Sequence, residues 1–320
     1  MMDVAAGLSE SRRLLASRAG LRGIEPTSHD ILMANPKKRL PENVDGPLYV
    51  DSTCINCDTC RQLATDIFGD TGEFSFVQKQ PEDENARRAA ARALLACPTG
   101  AIGGADKASL EQAREDFPLG IEGEVYYCGY NSPKSFGGNS YFIRHRDGNW
   151  LIDSPKFLTR LVDRLESWGG IRYIFLSHRD DVADAELYAR HFSATRLIHE
   201  EEADSQPGAE WILSGFDPTE LFPGFQVVPT PGHTAGHCAL LYRDRFLFTG
   251  DHLDWDREAQ RLDASRDYCW DSWPDQIRSV RKLQAVAFEW VLPGHGQRVH
   301  LLAAQMRQAL AELMRRLERG

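Results

Sequence analysis

Cys54, Cys57 and Cys60 stand at successive three-residue steps, and Cys97 follows far downstream, directly before Pro98. Thiolates at that spacing can wrap one cubane-sized iron–sulfur cluster. Zinc is the rival ligand, but structural zinc usually takes two separate C-x-x-C knuckles or a Cys/His mixture. Here the middle cysteine belongs to two knuckles at once and the fourth stands alone, so iron–sulfur is the better reading. A second set is oxygen- and nitrogen-bearing. His178, His233, Asp251 and His295 each follow a short apolar run. One such histidine would read as a turn residue bonded to backbone. Four at equivalent positions read as a metal site, because imidazole and carboxylate together suit iron or zinc.

The elements that must carry these residues can be read from pattern. Leu48–Asp51 and Phe74–Val77 are expected as short strands around the cysteine loop. Pro81-Glu82-Asp83-Glu84 opens an alanine-rich helix whose acidic first turn suits the helix dipole. That helix runs to Leu95 and delivers Cys97. From Glu124 the pattern becomes one of alternating strands and helices, with Asp147-Gly148 as a hairpin turn and Leu158, Leu161, Val162 and Leu165 at helical spacing. Strands are expected at 173–176, 225–228, 238–242, 246–248 and 289–292, and helices at 184–192, 275–286 and 299–318. The expected divisions are a flexible extension and lead-in over 1–45, a cysteine-rich unit over 46–104, a linker over 105–120, and an α/β unit over 121–320. The small unit has little core of its own, so a cluster would also staple it.

The chain has 320 residues, 42% hydrophobic and 26% charged, which suits two globular domains rather than a disordered or membrane-spanning chain. A formal net charge of −10 disfavours nucleic acid or an anionic membrane as the main partner. Seven cysteines is an odd number, and Cys128, Cys238 and Cys269 show no pairing pattern. A reducing, cytoplasmic setting fits that usage. Residues 1–32 are rich in Ser, Ala and Arg, which also suits a plastid transit peptide. Asp3 and Glu10 weaken that reading in favour of a plain extension.

The stretch from Tyr49 to Gly103 resembles a single-cluster bacterial-type ferredoxin. In the two-cluster form the fourth cysteine follows closely and serves the other cluster; here it is remote, which implies one [4Fe–4S] cluster held by Cys54, Cys57, Cys60 and Cys97. The segment from Phe117 onward resembles a metallo-β-lactamase-superfamily domain, close in flavour to glyoxalase II and flavodiiron proteins. That resemblance rests on Ile152-Asp153, Ser177-His178, the Thr230–His237 run, Thr249-Gly250-Asp251 and Gly294-His295-Gly296. It implies an α/β fold, an αββα sandwich with a metal at one edge, behind a small α+β ferredoxin-like domain.

One departure stands out. The superfamily's first motif is H-x-H-x-D-H, and here the string runs from His178 to Ala183. By spacing, Asp180 takes the second histidine's place, Val182 the aspartate's and Ala183 the third histidine's. The resemblance then implies a divalent metal, iron or zinc, held by His178, Asp180, His233 and Asp251, with His295 left over from a second position. A mononuclear site, with Asp181 or Asp184 as an adjusted ligand, and an empty, degenerate one are both compatible with that string.

Three functions follow as expectations. In a redox enzyme, the cluster passes single electrons to the metal or to a small-molecule substrate beside it, and a donor protein supplies them. In a hydrolase, the metal activates water against a thioester, lactone or ester, with Asp180 or Asp181 taking up a proton. In an electron carrier, the larger domain is only scaffold. Fusion of the two units favours the first, because it raises their mutual effective concentration.

Overall fold

The computed structural model describes residues 34–319. The transit-peptide and extension readings fall on residues outside that range. Among the described residues no helix is long and apolar enough to cross a membrane.

Residues 34–45 do not behave as the flexible lead-in expected of them. Their polar, turn-rich composition hides one buried side chain that replaces backbone pairing. The Asn43 amide donates to the carbonyls of Leu40 and Val50 at 2.7 and 2.9 Å, and its oxygen accepts from Val50 N and Val77 N at 2.9 Å each. It thereby ties the lead-in to the strands Tyr49–Val50 and Ser75–Val77.

The cysteine-rich unit is two short antiparallel ladders and two helices. Tyr49–Val50 pairs with Ile102–Gly103, and Phe68–Asp70 with Ser75–Val77. A helix over Thr59–Leu63 carries Cys60. The second helix, Glu84–Ala96, starts where Asp83 accepts from Ala86 N, a side-chain N-cap, and ends with Cys97 as its C-cap. Its alanines are small enough to bury Ala90, Ala91, Ala93 and Ala96 almost completely. Residues 105–120 carry a helix of their own, Lys107–Asp116, and the edge strand Leu119–Glu122 of the large domain. Asp116 accepts from both Arg88 and Arg92, which docks this connecting helix on Glu84–Ala96.

The large domain is two facing sheets with helices outside. In the first sheet the order is Trp211–Leu213, Thr195–His199, Tyr173–Phe175, Trp150–Ile152, Tyr141–Ile143, Val125–Tyr127, Leu119–Glu122. The second runs Thr219–Phe222, Phe225–Pro229, Cys238–Tyr242, Phe246–Gly250, Trp290–Pro293, Val299–His300. Side chains alternate across a strand, and the second sheet shows what that does. Leu240, Tyr242, Phe246 and Phe248 face the first sheet, where Trp150 stacks on Phe225 at 4.3 Å and Tyr141 meets Phe248 at 5.4 Å. Ala239, Leu241 and Leu247 face the other way, onto Val280, Leu283, Met306, Leu310 and Leu313 of the helices Trp273–Leu283 and Ala303–Leu317. Tyr173–Phe175 and Thr195–His199 run parallel, with the crossover helix Ala185–Phe192 between them in sequence. Loops at the strand ends are therefore free to collect functional side chains at one rim.

Candidate metal centre and cluster site

His178 follows the strand Tyr173–Phe175, His233 follows Phe225–Pro229, Asp251 follows Phe246–Gly250, and His295 follows Trp290–Pro293. The fold brings all four together, in two triads that share Asp251. One is His178, His233 and Asp251; the other is Asp181, Asp251 and His295. His178 Nε2 and His233 Nε2 each lie 3.7 Å from Asp251 Oδ2. His295 Nε2 lies 3.8 Å from Asp181 Oδ1 and 3.9 Å from Asp251 Oδ2. Asp180 joins the first triad, 3.9 Å from His178 Nε2 and 3.5 Å from His233 Nε2.

These separations exceed a good hydrogen bond. They are close to the ~3.5 Å expected between ligands that each reach a common ion at about 2.0–2.2 Å. The atoms concerned are otherwise orphaned: His178 Nε2, His233 Nε2, Asp251 Oδ1 and both oxygens of Asp181 are buried without a hydrogen-bond partner. Buried polar atoms are normally paired. A donor set of imidazole and carboxylate, aimed inward and unsatisfied, fits a divalent cation.

Neighbours fix how each group points. The far nitrogen of His178 lies 2.9 Å from Ser177 Oγ, and Ser177 in turn donates to Asp153 from its backbone and hydroxyl. His233 Nδ1 donates to the Tyr268 carbonyl. Each bond leaves Nε2 facing the site, as metal-bound imidazoles require. His237 is not a ligand: its Nδ1 meets Thr230 Oγ1 at 2.8 Å and its Nε2 accepts from Asp251 N at 3.2 Å, so it seats the Asp251 loop. His252 is fully buried beside it. His199 is buried too, and its Nε2 reaches the Gly215 carbonyl.

Electrostatics follow from burial and charge. Burial pushes His178 down to about 4, which keeps it neutral and able to ligate. Burial also acts to lower His233, but Asp180, Asp251 and the Tyr268 carbonyl outweigh it and leave it raised. His233 holds Asp180 below the usual carboxylate range. Burial opposes ionisation of Asp251, yet His295, His178 and His233 keep it low. Asp181, buried and facing Asp251, is raised well above its ordinary value.

The shifted first motif has a physical basis. Val182 and Ala183 do occupy ligand positions by spacing and contribute no donor. The one-turn 3-10 helix Arg179–Asp181 instead turns Asp181 inward, where a second-position carboxylate is needed. Asp184 points away; it accepts from Lys134 Nζ at 2.5 Å and Phe157 N at 2.9 Å. The donors gathered here thus form two triads that share Asp251, where the motif spacing left a mononuclear site and an empty one both open.

The four cluster cysteines are free thiols. Asn56 N donates to Cys54 Sγ at 3.4 Å and Ala101 N to Cys97 Sγ at 3.3 Å, while the Cys57 thiol donates to Thr59 Oγ1 at 3.4 Å. Burial pushes Cys57 up to about 11 and raises Cys60 well above the ordinary thiol value. Such thiols give up protons only to a metal, and the donors then stabilise thiolate charge. Four free thiols with N–H and O–H groups beside them are a donor set that fits a cluster.

A family model described as "Metallo-beta-lactamase superfamily" matches residues 124–316. The chain belongs to the metallo-β-lactamase superfamily. Residues 50–104 match a second model, the 4Fe-4S single cluster domain of Ferredoxin I. This superfamily member is also similar in structure to the BLEG-1 B3 metallo-β-lactamase, at 18% identity over 59% of this chain and 99% of the other, TM-score 0.45. It is similar to the metallo-β-lactamase family protein TTHA1429 from Thermus thermophilus, at 18% identity, 61% and 80% coverage and TM-score 0.45. It is similar to ETHE1 from Myxococcus xanthus, at 19% identity, 60% and 89% coverage and TM-score 0.43. No curated protein matches it.

The two units of this superfamily member share one cavity of about 1550 Å³. Its walls include Asn56, Cys57 and Asp58 from the cysteine loop, and His233, Asp251 and His295 from the metal centre. Arg257 clamps the junction, donating to Asp58 Oδ2 at 3.0 Å, while Arg61 holds the other oxygen of Asp58 at 2.7 Å. Tyr268 and Trp270 are 64% and 63% exposed and line this cavity.

Proposed function

We propose that the chain is a redox enzyme in which a ferredoxin-type unit exchanges single electrons with a metal centre on the lactamase-type fold, acting on a small molecule in the shared cavity. The observation that carries this reading is that Cys57 and the metal-centre residues line the same cavity. A purely structural cluster has no need to stand at the wall of an active site.

His178, His233, Asp251 and Asp180 would hold one cation; Asp181, Asp251 and His295 would hold a second. A cluster bound by the four cysteines supplies single electrons, and a divalent cation supplies an open coordination position for the substrate. The chain's own groups do the rest. Asp180, about half exposed at the mouth, is the carboxylate of this set that a bound molecule can reach, and its outer oxygen is open to a hydrogen bond from it. Tyr268, Trp270 and Phe136 give the cavity an apolar side that limits water around it. Asp153 and Ser177 keep His178 oriented through turnover.

The test is metal and labile-sulfide analysis of anaerobically prepared protein, followed by reduction with dithionite. Four cluster irons plus further iron that becomes reduced after the cluster supports the reading. Zinc in place of that further iron, with thioester or lactone hydrolysis surviving Cys57→Ser, would replace it with the hydrolytic one.

A further inference from the structure

Between the two centres runs one loop, Asn131–Asn139, and it touches both. At the cluster end, the Asn131 amide donates to the Gly137 carbonyl at 2.7 Å and to Thr59 Oγ1 at 3.1 Å. Tyr127 OH donates to Asn131 Oδ1 at 2.7 Å, which fixes that amide's orientation from the core of the large domain. The Thr59 hydroxyl, 1% exposed, accepts from Asn131 and from the Cys57 thiol at 3.4 Å, and its own proton makes only a long contact, 3.5 Å, with the Gly137 carbonyl. When Cys57 is a thiolate ligand, Thr59 is the donor of that bond.

At the other end the loop abuts the metal centre. The Ser135 carbonyl lies 3.2 Å from His295 Nε2. Asn139 N donates to the Gly294 carbonyl at 2.6 Å, next to His295. The glycine pair in the middle is what permits this. Gly137 has φ +91°, and a β-carbon there would lie 3.0 Å from Cys57 Sγ; one on Gly138 would lie 2.5 Å from Asp181 Oδ1. Only side-chain-free backbone fits between a cluster ligand and a metal-centre carboxylate. Because adjacent Cα atoms are about 3.8 Å apart, Cys57 Sγ and Asp181 lie within about 12 Å of each other across two residues.

We propose that the Asn131–Asn139 loop is the electron route between the two centres, with Asn131 and Thr59 as positioning residues that hold its near end on Cys57. The inference rests on the redox reading above and deepens it. The loop passes one electron per transfer. The cluster side is oxidised by one electron and a ferric ion at the metal side is reduced by one, with an external one-electron reductant restoring the first. Hydrogen bonds to cluster sulfur stabilise the more negative, reduced state, so they raise its potential. The large domain would thereby set the potential of the unit that feeds it.

The test uses the full chain, reconstituted anaerobically with iron, in an EPR-monitored redox titration and a stopped-flow reoxidation. Thr59→Val keeps size and removes the donor; the cluster midpoint should move to more negative potential with its iron content intact, and Thr59→Ser should restore it. Gly138→Ala should slow electron arrival at the metal centre while leaving the cluster midpoint in place. If the parent protein transfers electrons but neither variant changes midpoint or rate, the loop inference falls and the redox reading stands. If the parent protein transfers none, the redox reading falls and takes the route with it. A variant that loses its cluster signal is replaced by Asn131→Asp, in which the donor to Thr59 is lost and a negative midpoint shift is again expected.

Discussion

Asp181→Asn is the perturbation that separates a metal ligand from an ordinary buried acid. Asp181 is 1% exposed, and neither carboxylate oxygen has a partner. In metal-free protein, burial and the facing Asp251 raise its folded pKa well above its ordinary value. A carboxyl raised in the folded state binds its proton more tightly there than in the unfolded chain. Stability is then greatest below the unfolded value near pH 4 and falls as the pH climbs toward the folded one, by about 1.4 kcal/mol per pH unit. Asparagine keeps the shape and does not titrate, so it removes that slope. As the pH rises above the unfolded value, the metal-free variant should gain steadily on its parent, by no more than about 1.4 kcal/mol per pH unit, until the folded value is reached. In metal-loaded protein the order should reverse, because a neutral amide is the poorer ligand. Urea unfolding of chelator-treated protein from pH 5 to 8, with cluster absorbance followed in parallel, measures the first half. Metal titration measures the second. A metal-free variant less stable than its parent at pH 7, or with the same pH slope, would refute the argument.

Other perturbations test neighbouring claims. His233→Ala should abolish binding at the first cation position, measured by metal content, and free the Tyr268 carbonyl that its Nδ1 now engages. Asp184→Asn should leave metal content unchanged and cost no more than about 1 kcal/mol in urea unfolding, because the Lys134 pair it breaks is largely exposed on the lysine side. Asn43→Ala strands the Val50 and Val77 backbone amides in a buried setting; about 2–4 kcal/mol and faster cluster loss on heating are expected, followed by the decay of visible absorbance.

Much of this molecule is legible in its residues, for reasons that differ by element. The helix Glu84–Ala96 announces itself because its cap, acidic first turn and alanine face all agree. Phe225–Pro229, Phe246–Gly250 and Trp290–Pro293 are short apolar runs followed within four residues by His233, Asp251 and His295, so position and chemistry reinforce each other. Asp181 is harder. Motif spacing assigns ligands by counting residues, whereas a tight turn after His178 decides which of two adjacent aspartates faces inward. Asn43 is invisible for a related reason: a side chain that substitutes for backbone pairing looks, in sequence, like loop polarity. The Gly137-Gly138 pair is conspicuous yet mute, since the sequence shows that something must come close but not that a cysteine and an aspartate do. The pairs Thr59–Asn131 and Arg257–Asp58 carry no signal in sequence, because they meet only across the domain junction.

The chamber shared by the two units has a practical corollary. An excised lactamase-type half would lack the stretch from Asn56 to Asp58 that closes one side of it, and its ion-binding rim would open straight onto bulk solvent. Exchanging the electron-carrying module for another would therefore alter which molecules enter as well as the current that reaches them. Selectivity and wiring in this chain are inherited together.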